Sequence, residues 1–182
     1  MKNGIGERLH DWSAPRHAWF LAQPCATNLT LILTSVLIDL FGLYLFASSI
    51  FGPTLQPLIA ILILFSMRQT CQAICTLPIP PGSIWHHPGC PSLFVTYGTS
   101  NNFFFSGHPA ISVLRAIQLA HTAPPWFAAV AAATAVVEAI TVIILRAHYT
   151  MNVFAAPFAA YGADEIARRF APDVDAWLGR LG

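Results

Sequence analysis

Apolar positions gather into five runs along the chain, 29–50, 57–77, 103–121, 126–145 and 149–166, the last being the weakest. Each reaches or approaches the ~17–25 residues a helix needs to cross ~30 Å of hydrocarbon. Ahead of them, residues 5–23 mix Trp12, Trp19 and Phe20 with charges and histidines. That mixture reads as an interfacial amphipathic helix, with a solvated tail as the alternative. After the fifth run, "ADEIARRFAPDVDAWLGRLG" is polar. No repeat, linker or low-complexity stretch interrupts the series. The pattern predicts an all-α integral membrane protein, a single bundle of about five transmembrane helices preceded by an N-terminal amphipathic helix. Residues 1–28 form the interfacial segment, 29–166 the membrane-embedded domain and 167–182 a polar tail.

Composition agrees. Of 182 residues, 55% are apolar and only 9% charged, against about 25% charged in soluble proteins. A formal net charge of +1 points to neither nucleic acid nor an acidic partner. Lys2 and Arg8 are followed by no short apolar core ending at a small-residue cleavage site, so no signal peptide is read. The partners this composition implies are the bilayer and its lipids; oligomeric state is not legible.

If the five runs alternate in direction, the end of the second, the start of the third and the junction of the fourth and fifth share one face. The long loop "PIPPGSIWHHPGCPSLFVTYGTSNN" lies there, without a single Asp, Glu, Lys or Arg. Arg168 and Arg169 at the other end of the fifth run favour a cytoplasmic C-terminus and an extracytoplasmic loop face. With five spans, Lys2, Arg8 and Arg16 vote the other way.

The same face collects the candidate chemistry. Ser106, Gly107 and His108 stand at the mouth of the third run; His148 and Asn152, four residues apart, stand where the fourth meets the fifth. At that spacing a helix places two side chains on one face. A histidine oriented by an amide or carboxylate suits a nucleophile or base, and a second histidine opposite it suits protonation of a leaving group. Singly, each histidine reads more simply as structural. Together, beside a glycine, they read as a site.

"FFFSGHPAISVL" and "AHYTMNV" resemble the second and third signature motifs of the type 2 phosphatidic acid phosphatase superfamily. "MRQTCQAICTLPIPPG", with an Arg nine residues before Leu-Pro-x-Pro, resembles the first motif region of its sphingomyelin synthase-like branch. The similarity covers about residues 67–158. The resemblance implies an enzyme, a sphingomyelin synthase-like phosphotransferase or a lipid phosphatase, acting on phospholipids and lipid alcohols through a phosphohistidine. It makes His148 the nucleophile and His108 the acid for the departing alcohol. Ser106 and the Gly107 amide would hold phosphate oxygens, and Arg68 would bind the phosphate. No metal or other cofactor is implied, since arginine, backbone N–H and histidine donors meet the developing charge. The superfamily's Asp partner is Asn152 here, and its usual six spans are five. Three readings therefore stand: transferase, phosphatase, or a catalytically silent lipid-binding relative.

Several residues keep two readings. By depth, Arg68, Arg115, Asp39 and Glu138 fall roughly 10–20 Å below the motif face and could instead form a neutral buried cluster. Arg115 is expected to pair with Glu138, and Arg146, two residues before His148, to meet phosphate. Trp85, Phe94, Tyr97 and Phe103 to Phe105 are either an interfacial belt or a cage for a quaternary ammonium headgroup. Cys75 and Cys90 are either a disulfide or free thiols. Cys71, Cys75, His86, His87 and Cys90 match no standard zinc spacing.

Overall fold

The computed structural model describes residues 6–95, 97 and 106–180. Among these residues the fold is all-helical, with seven helices and no strands: α1 (Arg8–Trp12), α2 (Ala14–Ala22), α3 (Pro24–Phe51), α4 (Gln56–Ile74), α5 (Gly107–Thr122), α6 (Pro125–Ile144) and α7 (Thr150–Leu178). Prolines at the first or second helical position open α2, α3, α4 and α6. There the missing N–H is one the helix does not use, and the fixed φ favours the first turn.

Three helices, α3, α4 and α6, are long and apolar enough to cross a membrane. They leave Leu29, Leu33, Leu40, Val136 and Ile140 exposed, an apolar surface suited to lipid. The other two expected spans, α5 and α7, do not meet that description, for two reasons. Helix α5 has 16 residues, about 24 Å at 1.5 Å per residue, short of ~30 Å of hydrocarbon. Helix α7 is long enough, with 29 residues, but carries Asp164, Glu165, Arg168 and Arg169 from its midpoint onward. It also continues through the polar C-terminal segment as one helix.

Helix α5 is the centre of the bundle, packed on α6 and α7, while α4 packs on α7. The contact with α7 is close because α7 offers Ala156, Ala160, Ala163 and Ala167, all fully buried, to Ala60 and Leu64 of α4 and Ala110 and Leu114 of α5. Side chains this small at spacings of three and four let helix backbones approach. At the end remote from His148, buried Asp164 accepts from Gln118 and Gln56 and pairs with Arg168 at 3.2 Å, tying α4, α5 and α7 together.

The α4–α5 loop does not lie on the bundle's rim. It runs down α3: His86 Nε2 donates to Asn28 Oδ1 (2.7 Å), and the Tyr97 hydroxyl meets Ser35 and donates to Leu31 O (3.2 Å). Deeper still, the Asp39 carboxylate accepts from Ser92 Oγ, Leu93 N and Phe94 N at 3.0, 3.0 and 3.1 Å. Asp39 lies about 22 Å along α3 from Pro24. Irregular backbone at such depth persists only where protein groups satisfy it, which is the role Asp39 fills. Gly42 gives the loop room: a Cβ there would come within 2.5 Å of the Phe94 ring.

The N-terminal segment also departs from expectation. The single amphipathic helix is two short ones broken at Ser13, and its buried side carries His10, Ser13 and His17, whereas Trp12 and Trp19 are 70% and 54% exposed. Hydrogen bonds explain the burial of the histidines, because both reach carbonyls at the α6–α7 junction.

Candidate active site

Ser106 is the N-cap of α5 in extended backbone, and its amide donates to Asn152 O at 3.1 Å. That bond joins the Ser-Gly-His start of α5 to the first turn of α7. Gly107 follows, and Arg68 of α4 lies directly against it: an added Cβ would stand 2.9 Å from Arg68 Nε and 3.3 Å from its Cδ. A side chain there would push the guanidinium away, so the glycine is needed for the approach. His108 comes next, with the Trp85 ring edge-on at 4.9 Å between centroids. Trp85 also packs on Tyr97 (5.0 Å), so the loop's aromatics close over the histidine.

A cavity of about 140 Å³ lies between α3, α4, α5 and the loop, lined among others by Ile38, Phe65, Arg68, Phe94, Gly107 and His108. Arg68 Nε, Ser106 Oγ and His108 Nε2 are buried without a hydrogen-bond partner among the described residues. The charged side chains acting on His108 are Arg68 and Arg115, with no acidic group opposing them. Buried donors and cations without an anion form a site waiting for one, because an unmet buried polar group is costly.

His148 is buried in the turn between α6 and α7. The turn is tight: Arg146 adopts a left-handed φ of 52°, and Arg146 N and Ala147 N bond back to Ile143 O and Val142 O. His148 therefore precedes α7 rather than sharing its face with Asn152, which is buried in the first turn. Their relation is set by the entry into the helix.

The remaining candidates are placed as follows. Arg146 leans on the Pro81–Gly82 turn, donating from Nη1 to Pro81 O at 3.2 Å, and is not among the cavity-lining residues. Arg115 donates to Ile38 O and stacks on Phe94 at 4.8 Å from the ring centroid. The expected Arg115–Glu138 ion pair is not made: the two charges feel each other, but Glu138 Oε1 has no partner among the described residues. The Ile38 carbonyl of α3, not the Glu138 carboxylate of α6, receives the Arg115 hydrogen bond. Asp39 likewise gives its hydrogen bonds to the loop, so Asp39 and Glu138 act on Arg115 through the field rather than through an ion pair among the described residues. All four cysteines are free thiols. Phe103 to Phe105 lie outside the described residues. Residues the sequence reading did not single out are Glu7, His10 and His17 at the His148 turn. Only the seven-residue spacing of the two histidines, one helical face, hinted at a shared contact.

A family model, AtPDCT1/2, matches residues 12–169. The chain belongs to the AtPDCT1/2 family. That family is named for phosphatidylcholine:diacylglycerol cholinephosphotransferase, and it overturns the resemblance to the type 2 phosphatidic acid phosphatase superfamily and its sphingomyelin synthase-like branch. The quoted motifs are a few residues each, whereas the AtPDCT1/2 match runs through α2 to α7. Comparisons with curated proteins and with solved structures give no match.

Proposed function

We propose that this AtPDCT1/2 family member moves the phosphocholine headgroup of phosphatidylcholine to the free hydroxyl of a diacylglycerol, within the membrane. The observation that carries the reading is the anion-deficient cavity lined by Arg68, Gly107 and His108, where Arg68 Nε and His108 Nε2, and Ser106 Oγ at the head of the same helix, are buried and unmet among the described residues. The family match supplies the substrate class.

The chemistry balances in two displacements. His148 attacks phosphorus, a nitrogen–phosphorus bond forms, and the bond to the diacylglyceryl oxygen breaks as His108 delivers its proton to that oxygen. An incoming diacylglycerol then gives its hydroxyl proton to His108, attacks phosphorus and releases His148. Arg68, Ser106 Oγ and the Gly107 amide hold the non-bridging oxygens, where charge gathers in each transition state. Asn152 orients the His148 ring. Splitting one transfer into two steps at a covalent intermediate is what a positioned histidine nucleophile offers. The site opens on the extracytoplasmic side, a reading supported by Arg168 and Arg169 lying toward the opposite end of α7 from His148.

The test is reconstitution in vesicles holding headgroup-labelled phosphatidylcholine and a diacylglycerol of distinct acyl composition. Label should appear in phosphatidylcholine bearing the acceptor's acyl chains. An acid-labile labelled protein should accumulate when acceptor is withheld, and His148→Ala should abolish both. Full turnover by His148→Ala refutes the mechanism; no label transfer by the wild type refutes the activity.

A further inference from the structure

We infer that the N-terminal segment is part of the active site, with His10 a positioning residue that sets where His148 stands; this rests on the assignment of His148 as nucleophile. Three side chains from this segment converge on the short stretch from Ile144 to Thr150. His17 Nδ1 donates to Ile144 O at 2.8 Å, and His10 Nε2 donates to His148 O at 3.0 Å. The Glu7 carboxylate accepts from Thr150 N at 3.2 Å and Thr150 Oγ1 at 2.6 Å. The partners are 127 to 143 residues apart in sequence, so local chain geometry cannot account for them.

Each bond meets a need of that stretch. Ile144 ends α6 and Thr150 begins α7, where helices leave carbonyls and amides unpaired. A carboxylate at the start of α7 also suits the helix dipole. Between those ends Arg146 is held at φ 52°, a conformation uncommon for a side-chain-bearing residue and persistent only where surroundings enforce it. His10 bonds the backbone of His148 itself, so moving His10 moves the nucleophile.

The docked side of the segment is its polar one: His10 and His17 are 5% and 4% exposed, while Trp12 and Trp19 face outward, where aromatic rings suit a membrane interface.

The experiment uses full-length protein in lipid nanodiscs, with headgroup transfer and amide hydrogen exchange measured on the same samples. His10→Ala should lower kcat about 10- to 100-fold, the loss that ~1 Å of misplacement causes, with KM within ~3-fold because the cavity groups on α4 and α5 are untouched. Exchange across residues 147–152 should quicken. His10→Gln, which keeps an N–H donor, should restore kcat to within ~5-fold and restore the exchange protection. Unchanged kcat per folded molecule, or failure of glutamine to rescue, overturns the positioning role. If the wild type transfers no headgroup, the proposed function fails, and the strap is judged on exchange alone. Protection lost in His10→Ala and regained in His10→Gln upholds it, and no change in either overturns it.

Discussion

Gly107→Ala separates activity from stability at one atom. The new Cβ would stand 2.9 Å from Arg68 Nε and 3.3 Å from Cδ, against ~3.4 Å or more in ordinary contact. Something has to yield by about 0.5 Å, and the flexible arginine will yield before the start of α5. The backbone carries no strain, because Gly107 opens a helix in ordinary right-handed geometry, where alanine is favoured over glycine by up to ~1 kcal/mol. Melting temperature should therefore hold or rise. Activity should fall, since a misplacement approaching 1 Å costs up to ~100-fold, or ~2.7 kcal/mol of barrier at 1.36 kcal/mol per decade. We expect kcat/KM for headgroup transfer to drop about 10- to 100-fold. The Gly107 amide is retained, so the loss would trace to Arg68, and Arg68→Gln should add little to it. Undiminished transfer by Gly107→Ala would refute the placement of Arg68 as a phosphate ligand, and a collapse in melting temperature would show that the glycine serves folding.

Asp39→Ala strands Ser92 Oγ, Leu93 N and Phe94 N and should cost on the order of 3 kcal/mol, read as a lower melting temperature and protease cleavage in the α4–α5 loop. Ala160→Leu, at a fully buried position against α4 and α5, should destabilise by ~1–3 kcal/mol through overpacking, measured by thermal unfolding in detergent. Burial, with the charge of Arg146 and His10 beside it, holds His17 below its ordinary 6.5. The undocked segment therefore takes up a proton first, and docking weakens as pH falls below about 6.5. Anisotropy of Trp12 and Trp19 should drop over that range, and His17→Gln, which keeps a donor but does not titrate, should abolish the dependence.

Helices α3, α4 and α6 were written plainly in the chain, because lipid contact selects each residue one by one and leaves an unbroken apolar run. The pairing of Ser106, Gly107 and His108 with His148 and Asn152 was legible for a related reason: alternating runs bring their ends to one face. Tertiary structure decided the rest. That helix α5 stands at the bundle's centre could not be read from its apolar run, since burial against protein and burial in lipid select similar residues. Asp39 and Arg115 lie within electrostatic reach of each other, yet the hydrogen bonds of each go to backbone, Asp39 to loop amides and Arg115 to a carbonyl of α3. The histidines of the first 22 residues gave no period that named their partners, because a hydrogen bond to a carbonyl reads no side chain. Which carbonyl a donor meets depends on how distant segments pack, and that information exists only once the chain has folded.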